Sequence, residues 1–155
     1  MTKGRKKKNK MKRIILLLIC LFYSLSVSAE YKIYRLPSYS NYLTYERSTN
    51  IFQLTLTNDT DYQIVLVAFD DEEMEMLLDD FNRCLYECEY GEYCYIPTRN
   101  LFGKKIKVKF IIGIESPRYI TPTLEHKGLE PPNYVLTIQD IKRMRKIFDR
   151  IRKDL

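Results

Sequence analysis

The first 29 residues constrain this chain most, because they read as a removable leader and leave the remainder to fold outside the cytosol. Lys12-Arg13 precedes an apolar run, Ile14-Ile15-Leu16-Leu17-Leu18-Ile19-Cys20-Leu21-Phe22, and Val27-Ser28-Ala29 offers the slim residues a signal peptidase reads. The stretch from Ile14 to Val27 has 14 residues and is interrupted by Ser24 and Ser26, whereas a bilayer span needs about 20. Residues 1–29 are therefore expected to be a secretory signal peptide, with translation starting at Met11, and residues 30–155 a single exported domain. The alternative is a retained membrane anchor. The product is expected in the periplasm or outside the cell.

Removing the leader inverts the charge. Residues Met1 to Ala29 hold eight of the 26 Lys and Arg and none of the 20 Asp and Glu, so residues 30–155 carry 18 bases against 20 acids. The basic excess of the whole chain thus gives no support to nucleic-acid binding. Within residues 30–155 charge is segregated. Asp59 to Glu92 holds 12 acids and one base, Arg83, while Arg99 to Leu155 holds 14 bases and six acids.

The hydropathy pattern supplies the elements. Glu30 to Asn50 is Tyr-rich and without a clear period, and is expected to be an N-terminal arm with one short strand. Ile51 to Thr57 alternates and Tyr62 to Phe69 is nearly continuous apolar; the link Asn58-Asp59-Thr60-Asp61 makes them a hairpin. Asp70 or Asp71 then caps a helix whose Met74, Leu77, Leu78, Phe81, Leu85 and Cys88 form one stripe, with Glu72, Glu73 and Glu75 in the favourable first turn. Lys104 to Ile114 is a strand, alternating and then wholly apolar. Tyr119 to Leu124 and Tyr134 to Leu136 add short ones. Thr137 with Asp140 starts a final helix with Ile141, Met144, Phe148, Ile151 and Leu155 along one face. Hairpins that precede helices predict an α+β domain: an antiparallel or mixed sheet of four to six strands with two amphipathic helices packed on it. If both helices lie on one side, the acidic flank of the first attracts the basic flank of the second, which carries Lys142, Arg143, Arg145, Lys146, Arg150 and Arg152.

Three cysteines lie beyond the leader, Cys84, Cys88 and Cys94, in an order that matches no zinc signature. Gly91 permits a reversal, so Cys94 is expected to form a disulfide with Cys84 or Cys88. Other chemistry is thinly represented. His126 is the one histidine, and no nucleophile-elbow motif, metal set or cofactor fingerprint is present, so no cofactor is expected. Glu115 and Glu125 would make a carboxylate pair only if the fold joined them.

The function expected from these features is that of a small exported, non-enzymatic binding or accessory protein of a bacterial cell envelope, acting through protein contacts. Glu72, Glu73, Asp79 and Asp80 are the candidate contacts for a basic protein partner, together with Tyr39, Tyr42 and Tyr45 of the arm, taken as exposed. Membrane contact is expected only through the leader or weakly through the basic C-terminal helix. Two alternatives are an inhibitor or immunity protein whose acidic helix blocks a basic site on a secreted toxin or hydrolase, and an envelope hydrolase with a carboxylate or Cys site.

Overall fold

The structure, a computed structural model, describes residues 12, 13, 15, 31–38, 40–57, 63–113, 118–123 and 134–154. The leader apart from residues 12, 13 and 15, its cleavage site, Tyr39, Glu115, Glu125 and His126 lie outside the described residues. Eight strands and two helices run in the order β1 (Tyr31–Arg35), β2 (Tyr42–Glu46), β3 (Ile51–Thr57), β4 (Gln63–Ala68), α1 (Asp71–Glu87), β5 (Tyr93–Arg99), β6 (Lys105–Gly113), β7 (Tyr119–Pro122), β8 (Leu136–Thr137) and α2 (Ile138–Lys153). The fold is α+β, with every strand pair antiparallel and strand order equal to sequence order. Eight strands exceed the expected four to six. The additional ones are a second strand in the arm, where one is expected and the β1–β2 hairpin forms, and β5, which comes after the cysteine turn.

Each element has a local cause. Alternate residues of β2 and β3 turn Leu43, Tyr45, Phe52, Leu54 and Leu56 to one face. Asp70 is the α1 N-cap and accepts the Glu73 N–H at 2.8 Å, while the Glu73 side chain accepts from Phe69 N–H at 2.7 Å. Thr137 and Asp140 form a full capping box at α2, each side chain accepting from the other's backbone N–H. Both helices pack on the same face of the sheet and share one core with it. Phe81 of α1 meets Phe110 of β6 edge-on at 5.9 Å between centroids, and Phe148 of α2 meets Phe52 of β3 at 5.5 Å.

The chain divides into two successive halves, each of four strands followed by a helix in the first half and closed by a helix in the second. Their seam is thin: β4 and β5 pair only at Val67 and Arg99, supplemented by the Thr98 hydroxyl donating to Val67 O at 3.2 Å. This explains how Pro97 fits inside β5, since most of that strand has no neighbour on the β4 side to demand its missing N–H.

The two ends of the sheet meet. Buried Asn41 accepts the Thr57 N–H at its Oδ1 (2.9 Å) and donates from Nδ2 to Val135 O (2.8 Å). Next to it the Ser38 N–H donates to buried Asp140 Oδ1 at 2.8 Å, and the Ser38 and Thr137 hydroxyls share a bond of 2.9 Å. In a flat sheet β2 and β8, six places apart, would be separated by about 29 Å at a spacing of about 4.8 Å. The sheet must therefore curl strongly, and the turn between β1 and β2 latches onto the strand that feeds α2.

Candidate interaction surface

The acidic helix is occupied by its own chain. Arg145 of α2 donates to Glu75 Oε1 at 2.8 Å and Asp79 Oδ1 at 3.0 Å, and Arg152 reaches Glu75 Oε2 at 3.2 Å. The attraction expected between the two helix flanks is thus present. Glu73 takes both oxygens to Arg99 Nε of β5, and Asp80 pairs with Arg83 one turn on. Burial is the largest influence on Asp80 and pushes its carboxyl above the usual range, with Asp79 adding to the rise and Arg83 opposing it. Of the four acids singled out from sequence, Glu72 alone is exposed without an ion-pair partner among the described residues.

The tyrosines separate as well. Tyr45, expected at the surface, is 4% exposed. Its strand is an interior one, so its ring lies against Phe52 at 4.7 Å and its hydroxyl donates to Asn50 Oδ1 at 3.1 Å. Burial raises its phenol pKa, with Asp71 adding to the rise. Tyr42 is half-buried on the other face, paired with Arg35 and Thr55.

A groove of about 480 Å³ opens where α1 leaves the thin seam. Met76 and Leu77 of α1 form one wall, Pro97, Thr98 and Ile106 of the β5–β6 hairpin the other, and Glu73 with Arg99 stands at its edge. Arg99 also lies over the Phe69 ring at 4.1 Å and donates to Gly103 O at 3.0 Å. Gly103 has φ +80°, and a Cβ there would stand 2.6 Å from Phe69. Only glycine permits both this turn and the close ring.

The turn projects Leu101 and Phe102, the latter 94% exposed. Strand alternation puts Tyr93, Tyr95 and Pro97 on the sheet face away from the helices, while Cys94 and Ile96 point into the core. Across from them stand Ile111, Lys109 and Lys107, and Lys105 lies opposite Arg99. Lys109 Nζ is 3.9 Å from the Tyr93 ring centroid and 6.0 Å from that of Tyr95. Among the described residues, no carboxylate ion-pairs with Lys105, Lys107 or Lys109. One hairpin thus presents four exposed apolar or aromatic side chains and an unneutralised row of lysines. Sequence reasoning missed this surface because it gave Tyr93–Arg99 no strand; the signal was the alternation of Tyr93, Tyr95 and Pro97 with Cys94, Ile96 and Thr98.

The cysteines lie at the far end of the same strand. Cys84 and Cys94 form a disulfide, one of the two pairings expected, and half-buried Cys88 keeps a free thiol beside it. Among the described residues no helix is long and apolar enough to cross a membrane. Comparison of the chain with protein-family models, curated proteins and solved structures finds no match.

Proposed function

We propose that this chain is an exported binding protein of a bacterial cell envelope that docks a partner protein on its β5–β6 hairpin. The observation that carries the reading is that exposed Tyr93 and Tyr95 along β5 and exposed Leu101 and Phe102 at its turn all belong to one hairpin. Clustered exposed aromatic and apolar side chains are what a soluble domain avoids unless something covers them. Aromatic side chains are also the residues that anchor most protein interfaces. The pairing of Glu73, Glu75, Asp79 and Asp80 within the chain moves the contact away from the acidic helix and reverses the expected sign of the partner. The complement of Lys105, Lys107 and Lys109 is a surface with carboxylates around an apolar pocket that takes Phe102. Export is supported by the leader pattern and by a disulfide of the kind oxidising compartments favour.

Photo-crosslinking residues placed at Tyr95, Phe102 and, as a control on the outer face of α2, Asp149 test the reading in the envelope of cells that make the protein. The expected result is one discrete adduct from positions 95 and 102, absent at 149, on a chain whose N-terminus is Glu30. Phe102→Ala should weaken binding of the purified partner about 30-fold or more, the loss typical of a hot-spot anchor. Equal adducts from all three positions would overturn the docking surface, and an intact leader on cytosolic protein would overturn export.

A further inference from the structure

We propose that Cys84, Cys88 and Cys94 form one thiol–disulfide exchange site, in which Cys94 is held alternately by Cys84 and by Cys88. The two candidate partners are four residues apart at the end of α1, so both project from one face of the helix towards β5. The three sulfurs all lie within 4.8 Å of one another. Cys88 is the C-cap, with extended backbone angles, and the Arg118 guanidinium donates to its carbonyl at 2.6 Å. The third thiol is thereby held beside a formed disulfide, and the three sulfurs are not scattered along the chain.

The step is balanced without an outside oxidant or reductant. Cys88 loses its proton to solvent, and its thiolate attacks Cys94 Sγ. The Cys88–Cys94 bond forms as the Cys84–Cys94 bond breaks, and Cys84 leaves as a thiolate that takes up a proton. The two states differ in which thiol is free. With Cys84 bonded, the free thiol is half-buried Cys88, within reach of a thiol-reactive small molecule or a partner's disulfide. With Cys88 bonded, it is Cys84, which is fully buried and shielded from both. Exchange therefore exposes or hides the reactive group of the site while the number of disulfides stays constant.

The test uses the folded protein, free of added redox reagents, at pH 8.5. Aliquots are treated with iodoacetamide, quenched in acid and digested with pepsin, and the linkages are mapped by mass spectrometry. The expected result is a Cys88–Cys94 linkage with unmodified Cys84, growing at the expense of the Cys84–Cys94 linkage with alkylated Cys88, and growing faster as pH rises. Cys84→Ser should oxidise in air to a Cys88–Cys94 bond with an unchanged far-ultraviolet circular dichroism spectrum. Cys88→Ser should show a single linkage at all times. Persistence of Cys84–Cys94 alone in the wild-type chain over hours at pH 8.5 would overturn the proposal, whether or not Cys84→Ser folds. So would a folded Cys84→Ser whose two remaining thiols stay free in air.

Discussion

Replacing Asn41 with alanine tests whether the two ends of the sheet are joined as described. The side chain is fully buried and both ends of its amide are engaged, one with Thr57 N–H on β3 and the other with Val135 O ahead of β8. Truncation removes the acceptor of the Thr57 N–H and the donor to Val135 O. Each unsatisfied buried group costs about 1 to 3 kcal/mol, so the loss of two should be about 2 to 6 kcal/mol. Urea unfolding of the disulfide-intact chain, followed by circular dichroism, reads this as a fall in midpoint of about 1 to 3 M, given a slope of about 2 kcal/mol per molar urea. Amide exchange gives a residue-level readout, because the Thr57 N–H loses its acceptor and should exchange faster. Asn41→Asp keeps the acceptor for Thr57 but places oxygen against Val135 O, and should be at least as costly. A loss below about 0.5 kcal/mol, far short of what two stranded groups cost, with Thr57 protection unchanged would refute the latch.

Two further substitutions examine the charges. Arg145→Glu sets like charges beside Glu75 and Asp79 and should cost about 1 kcal/mol at low salt, because the groups are partly exposed. Adding Glu75→Arg should recover part of that loss in a double-mutant cycle, and additive costs would deny the contact. Asp80 titrates higher in the folded chain than its ordinary value, so protonation favours folding. That contribution is complete below the unfolded pKa and is lost as pH rises through the folded one. Asp80→Asn should therefore be more stable than wild type at pH 7, with the difference closing towards pH 3. Thermal melts across that range check the sign, and a variant less stable at pH 7 alone contradicts it.

The elements legible in the sequence are those whose stabilisation is local or strictly periodic. β3, β4, β6 and both helices fall where alternation, apolar stripes and caps put them, because Asp70 and the Thr137–Asp140 pair fix helix starts within a few residues. β5 is hidden by Pro97, which argues against a central strand until the gap on its β4 side is known. Tyr45 reads as a surface residue because nothing local shows that β2 lies between two other strands. The acids of α1 illustrate the same limit. Segregated charge predicts attraction between the helix flanks, but Arg145 and Glu75 are 70 residues apart, and only packing decides which acids remain for a partner. The exposed hairpin is illegible for a related reason, since Phe102 reads equally well as core until its turn is seen to project.

In this sheet every strand's neighbour in space is also its neighbour in the chain. A polypeptide threading out of a pore from its N-terminus never has to hold a strand in waiting for a distant mate. Each hairpin closes as it emerges, and α1 is complete before the second set of strands begins. The contacts of Ser38 and Asn41 with residues 135 to 140 break this rule, since the early partner must wait for about a hundred more residues to arrive. Their formation marks the moment at which a row of hairpins made one after another becomes a sheet closed on itself.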